Sequence, residues 1–170
     1  MAWRGVPVVV GIAILAGGPA AAGVHPPEVE ARLALFAQNW TIEGMEGAFR
    51  EDCEWYHDRS FVVCHATEVE DGKTFHSVSV LGFSSRARTY TYLHYSSTGG
   101  SRTETGYPTE TGGLVFLGER QTAQGFAQTR SVITPNAAGP GFLFEQTRAL
   151  NGGEWKPTVK FKYVTRGPAK

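Results

Sequence analysis

Beyond Trp40 the chain is cut at short, regular intervals by clusters of turn-forming residues, and this spacing limits the possible folds more than any other feature. The clusters fall at His57–Ser60, Glu70–Lys73, Ser84–Ala87, Ser96–Ser101, Pro108–Gly113, Gln121–Gln124, Pro135–Pro140 and Asn151–Gly153. Between them lie runs rich in Val, Thr, Phe and Tyr, residues that suit a pleated, half-buried strand. The 21 Gly and 9 Pro in 170 residues supply the breaks. No second helical pattern interrupts the runs, which excludes a parallel βαβ sheet. The spacing predicts a mainly β fold, an antiparallel up-and-down β-barrel of about 8–10 strands. An open sandwich is the alternative, since it also covers one face of such a sheet.

A single short helix precedes the strands. Pro26-Pro27 opens it, and Val29, Leu33, Phe36 and Trp40 recur at helical spacing, so the segment is expected to cap one mouth of the barrel. Further upstream, Arg4 precedes the apolar run Val6–Ala16, and Ala20-Ala21-Ala22 supplies small residues for cleavage. Residues 1–22 read as a signal peptide, with an uncleaved anchor as the alternative. The mature domain is then 23–170, exported to the periplasm or secreted, with no transmembrane segment left after cleavage.

Removing Arg4 leaves 15 basic residues against 16 acidic, a net of −1, which argues against a general nucleic-acid or membrane-surface binder. The exception is local. Lys156, Lys160, Lys162, Arg166 and Lys170 follow Trp155 without an acid, as on the solvated face of one strand. The two cysteines of an exported chain favour a disulfide, with two buried thiols as the alternative.

Register arithmetic tests these expectations. Folding at Asp58-Arg59 places Cys53 opposite Cys64, within reach of a disulfide. The Asp71-Gly72 turn pairs Glu70 with Lys73, hence Ala66 with Ser77, Cys64 with Ser79 and Val62 with Leu81. A turn at Ser84–Ala87 then pairs Leu81 with Tyr90, Ser79 with Tyr92 and Ser77 with His94. Because side chains alternate, one face carries Cys53, Trp55, Cys64, Ala66, Ser77, Ser79, Leu81, Tyr90, Tyr92 and His94. At the other end, Asn151-Gly152 closes a hairpin that sets Val159 opposite Phe144 and Phe161 opposite Phe142, with Lys160 and Lys162 pointing away.

Five stretches carry a family resemblance: Trp40 after the helix, "CEWYHDRSFVVC", "VLGFSSRARTYTYLHYSSTG", "GGLVFLGER" and "NGGEWKPTVKFKYVTR". Through them the chain, from about Phe36 to Arg166, resembles a bacterial family of lipocalin-like, calycin-type barrels of unknown function. Asn39 and Phe83-Ser84-Ser85 depart from that pattern. The resemblance implies a small apolar ligand held in the barrel, and it supplies no catalytic residue.

For the site, the residues themselves suggest an aromatic-walled pocket with a few polar groups. Its expected ligand-binding residues are Trp55, Ser79, Tyr90, Tyr92, His94, Phe144 and Phe161, with Phe142 and Trp155 nearby. The competing expectation is that these rings pack solid. Arg130 or Arg148, if turned inward, would favour a carboxylate ligand. The histidines lack metal-ligand spacing, so neither a metal nor a cofactor is expected, and His25 is expected to play no part. An enzyme of isomerase or hydrolase type, using His94 with Ser77 or Tyr92, is a second function. A structural or interaction module of the cell envelope, presenting Lys160 and Lys162 to a partner, is a third. The sequence leaves the oligomeric state open.

Overall fold

A computed structural model describes residues 24–167 of the chain, so the signal-peptide segment lies outside the described residues. One helix, α1 (Pro27–Ala34), precedes ten strands: β1 (Asn39–Ile42), β2 (Phe49–Tyr56), β3 (Phe61–Glu70), β4 (Lys73–Ser84), β5 (Thr89–Ser96), β6 (Ser101–Pro108), β7 (Leu114–Thr122), β8 (Gly125–Pro135), β9 (Phe142–Leu150) and β10 (Lys156–Thr165). From β2 to β10 each strand pairs antiparallel with the next. β1 then joins β10 to β2, closing a ten-strand barrel consistent with a lipocalin-like architecture. Closure leaves no edge strand, which settles the choice between barrel and open sandwich. No described helix is long and apolar enough to cross a membrane.

The local chemistry of the turns accounts for much of this path. Asp71 (φ 49°) and Gly72 (φ 72°) both take positive φ, as do Asn151 (φ 50°) and Gly152 (φ 73°), the conformation of a tight primed turn between twisted strands. β2 and β3 pair in the expected register, with Cys53 opposite Cys64. The two form a disulfide with Cα atoms 4.0 Å apart.

The helix is shorter than its hydrophobic spacing suggests. It ends at Ala34, and Trp40 belongs to β1. Trp40 still shares the interior with Val29, Leu33 and Phe36, because the intervening bend lets its indole Nε1 donate to the Phe36 carbonyl at 2.9 Å. This group fills one end of the barrel. Glu30 of α1 also pairs with Arg59 in the β2–β3 turn. His25, expected to be idle, lies within hydrogen-bond distance (2.6 Å) of the Ser60 carbonyl and meets the Phe83 ring edge-on.

Two registers differ from expectation, each by two residues. β4 and β5 are joined by a four-residue loop (85–88), with Arg88 at φ 54° and Ser84 Oγ accepting from the Ala87 amide. Leu81 therefore faces Tyr92, Ser79 faces His94, and Ser77 faces Ser96. In the last hairpin Gly153 N still donates to Leu150 O, so the tight turn forms. Pairing resumes only at Lys156, and a bulge follows between Pro157 and Val159, where proline offers no ladder donor. Phe161 thus faces Phe144, and Tyr163 faces Phe142. In β5, and in β10 from Val159 onward, the shift is even, so these side chains keep their expected face.

Glycine is required where strands must admit a large neighbour. A Cβ on Gly106 would stand 2.5 Å from the Phe116 ring and 2.9 Å from the Tyr90 Cβ. One on Gly118 would stand 2.7 Å from the Glu104 Cγ.

The disulfide closes a short loop across one hairpin, so its stabilisation comes chiefly from restricting the unfolded chain. The double substitution Cys53→Ala, Cys64→Ala should lower the unfolding free energy by about 2–4 kcal/mol in urea titrations while retaining β-rich circular dichroism. An unchanged urea midpoint would contradict this.

Candidate ligand cavity

The face bearing Cys53, Cys64, Ser79 and His94 is the interior. Between the α1 plug and the opposite mouth lies a cavity of about 260 Å³. The interior is therefore not packed solid. Small side chains at Ala66, Ser77 and Ser79 leave this space, while Phe36, Trp40, Phe116 and Phe142 wall it toward α1. Tyr163 stacks on Phe142 with centroids 4.5 Å apart and meets Phe144 edge-on at 6.5 Å.

Of the seven residues expected to bind ligand, Ser79, Tyr92, His94, Phe144 and Phe161 line the cavity. Trp55 and Tyr90 do not. Both lie on the inward face but at the plugged end, beyond the open space. Tyr90 is 2% exposed and packs on Phe83, while Trp55 is half-buried with the Arg59 guanidinium 5.9 Å from its ring centre. Trp155 falls in the loop before β10 and is exposed. Arg130 points outward, and Arg148 does not reach the cavity lining. Lys160 and Lys162 are outward, as expected, but each already has an acid: Glu145 at 2.9 Å and Glu43 at 2.6 Å.

The main surprise is a belt of charged groups inside the barrel. Glu51, Arg102 and Glu104 line the cavity with Glu68, which lies toward the mouth. Arg102 stands opposite His94 across β5 and β6. Its Nη2 donates to the Tyr92 hydroxyl at 3.1 Å, and its guanidinium carbon lies 5.0 Å from the centre of that ring. Burial opposes the charge, yet Tyr92 and Glu104 outweigh it and raise the Arg102 pKa. Glu104 fits over Gly118 and accepts from Thr129 Oγ1 at 3.3 Å. The turn cluster at Ser96–Ser101 gave no signal for Arg102 and Glu104. Pairing Ser96 with Ser101 would have set Arg102 opposite Tyr95 and turned Arg102 and Glu104 outward; the strands instead pair Tyr95 with Ser101 and His94 with Arg102, an offset of one residue that turns both inward.

Glu51 differs from these neighbours. Its side chain is surrounded by protein except where it faces the cavity. Burial pushes its carboxyl up to about 7, against a small opposing pull from Arg102. No side-chain hydrogen bond or ion pair reaches it among the described residues. His94 is driven the other way, to about 4, by burial and by the positive charge of Arg102. Near neutral pH His94 is thus uncharged while Glu51 stands at its midpoint. The Tyr163 hydroxyl is held well above its ordinary range by burial and by nearby Glu51.

A Glu51 carboxyl oxygen lies within 4.8 Å of both cysteine sulfurs, but these are joined to each other and offer no thiolate to a metal. Nor do the groups assemble a nucleophile and base. Ser77 lies across from Ser96, and although Ser79 lies across from His94, no side-chain hydrogen bond joins the two among the described residues. The chain matches no protein-family model and no curated protein, so its functional reading rests on the fold and this geometry.

The raised Glu51 pKa has a defined consequence for stability. Between pH 4.5 and about 7 the folded chain holds a proton at Glu51 that the unfolded chain has released. Glu51 therefore costs stability as pH rises through that window, by at most about 3 kcal/mol. His94 acts oppositely, adding stability as pH rises from about 4 to 6.5. Glu51→Gln should be no more stable than wild type at pH 4.5 and more stable at pH 8, as read from urea midpoints. A difference independent of pH would contradict the assignment.

Proposed function

We propose that the chain is an exported binding barrel that encloses a small apolar or amphipathic molecule. The observation that carries this reading is the cavity itself: a space walled by aromatic rings, with a few polar groups gathered in one belt. Sites that hold small molecules have this composition, and their volumes run from about 300 Å³ upward. The cavity of about 260 Å³ therefore suits a compact ligand. An apolar portion would lie against Trp40, Phe142, Phe144 and Phe161, and a polar portion would meet the Glu51, Tyr92 and Arg102 belt. The disulfide supports an oxidising destination, and the apolar N-terminal run supports export to it.

Binding is preferred to catalysis because no hydrogen bond joins His94 to a serine or a carboxylate among the described residues. It is preferred to a lysine-presenting envelope module because Lys160 and Lys162 are both neutralised by carboxylates.

Trp40 lines the cavity and reports on its contents. Titration with the neutral probe N-phenyl-1-naphthylamine should quench tryptophan emission saturably. Ser79→Phe, which fills the cavity from a site only 2% exposed, should abolish the quenching and leave the fold intact by circular dichroism. Absence of saturable quenching in the wild type, or its survival in the filled variant, would refute the proposal.

A further inference from the structure

We infer that the cavity selects ligands with a cationic head, an ammonium group on a compact apolar body, and that Glu51 is the group that receives it. The inference rests on the binding-barrel reading above and adds the ligand's chemical class.

The charges of the lining are unequal. Glu51, Glu68 and Glu104 face the cavity, against the single guanidinium of Arg102. Arg102 itself shows how this interior holds a cation. It lies over the Tyr92 ring, donates to the Tyr92 hydroxyl, and has Glu104 on the same strand face. Glu104 acts on that cation through space, without a direct ion pair, and the Arg102 Nε has no hydrogen-bond partner among the described residues. Glu51 is a second carboxyl on the opposite wall, turned into the same space, with no partner among the described residues. The Tyr163 ring, backed by Phe142 and Phe144, lies near it. A half-buried carboxylate beside an aromatic face is the arrangement that holds an ammonium group.

The other charged and titratable groups around Glu51 do not meet this need. Asp52, next on β2, lies on the outer face and pairs with Arg166. His94 on β5 is uncharged at neutral pH. Tyr163 on β10 is held in its neutral form by burial, Tyr92 on β5 offers its hydroxyl to Arg102, and Glu68 on β3 is a further acid. An ionised Glu51 therefore adds one uncompensated negative charge to the interior, and a bound cation would neutralise it. A carboxylate ligand would meet the reverse, with Glu51 competing for Arg102.

The test uses three probes with one chain and different heads: octylammonium, octanol and octanoate. Their affinities are measured by calorimetry at pH 6 and pH 8. Octylammonium should bind best, and its affinity should rise about tenfold between the two pH values as the competent, ionised fraction of Glu51 grows. Octanol should show no such rise, and octanoate should be weakest at pH 8. Glu51→Gln should bring octylammonium down to the level of octanol at both pH values. Should that variant fail to fold, the pH dependence of the wild type decides alone.

Equal binding of all three probes would overturn the cation preference and leave the binding barrel standing. Tightest binding of octanoate would also overturn it, making Arg102 the anchor. No binding of any probe would refute both readings.

Discussion

A strand of four residues holds the whole arrangement closed. β1, Asn39–Ile42, is bound on one side to β10 and on the other to β2. Without it two long strands would present unpaired amides and carbonyls, and the sheet would be free to open. With it, every inward side chain faces other inward side chains across a confined space. The placement of charged groups in low dielectric follows from this closure. Trp40 in the middle of β1 strengthens it, since its indole ties the strand to the end of the helical plug through the Phe36 carbonyl.

Confinement divides the interior into two regions. Toward α1, aromatic and aliphatic side chains pack closely, with Leu33, Val62 and Leu114 fully buried. Further along, smaller residues line the wall and the space stays open. The ionisable belt lies in this second region. Arg102 and Glu104 are supported there by Tyr92, Thr129 and the missing side chain of Gly118. Glu51 has no comparable support. A buried carboxyl without partners lowers stability, and a chain selected only for folding gains nothing from it. Its presence in the wall of a cavity is better explained by what enters the cavity.

Alternation carried most of the fold in the sequence. The Cys53–Cys64 pair, the Asp71-Gly72 turn and the inward set from Trp55 to His94 follow from period-2 arithmetic. They survive even where the β4–β5 turn is longer than expected, because the register shift in β5 is even. The four-residue loop after Ser84 and the bulge at Pro157 were not apparent, since each depends on backbone conformations that several residue types adopt. Trp55 and Tyr90 illustrate a second limit. Periodicity assigns a side chain to a face, but depth along the barrel decides whether it meets the cavity or the plug. The charged belt was not legible, because inward-facing Glu and Arg contradict the usual exposure of such residues and because β5 and β6 pair one residue off the Ser96–Ser101 turn. The Lys-rich β10 showed the opposite: its charges point outward, as alternation requires, and are matched by acids on neighbouring elements.

The protonation of Glu51 in the unliganded protein probes this account most directly, because it depends at once on closure, on burial and on the absence of a partner. Carbon-13 NMR of glutamate side-chain carboxyls across a pH titration would follow it, with the resonance assigned by its loss in Glu51→Gln. The account requires a midpoint of about 7 for this carboxyl. A midpoint near the ordinary 4.5 would place Glu51 in bulk water and contradict an enclosed, charge-bearing interior.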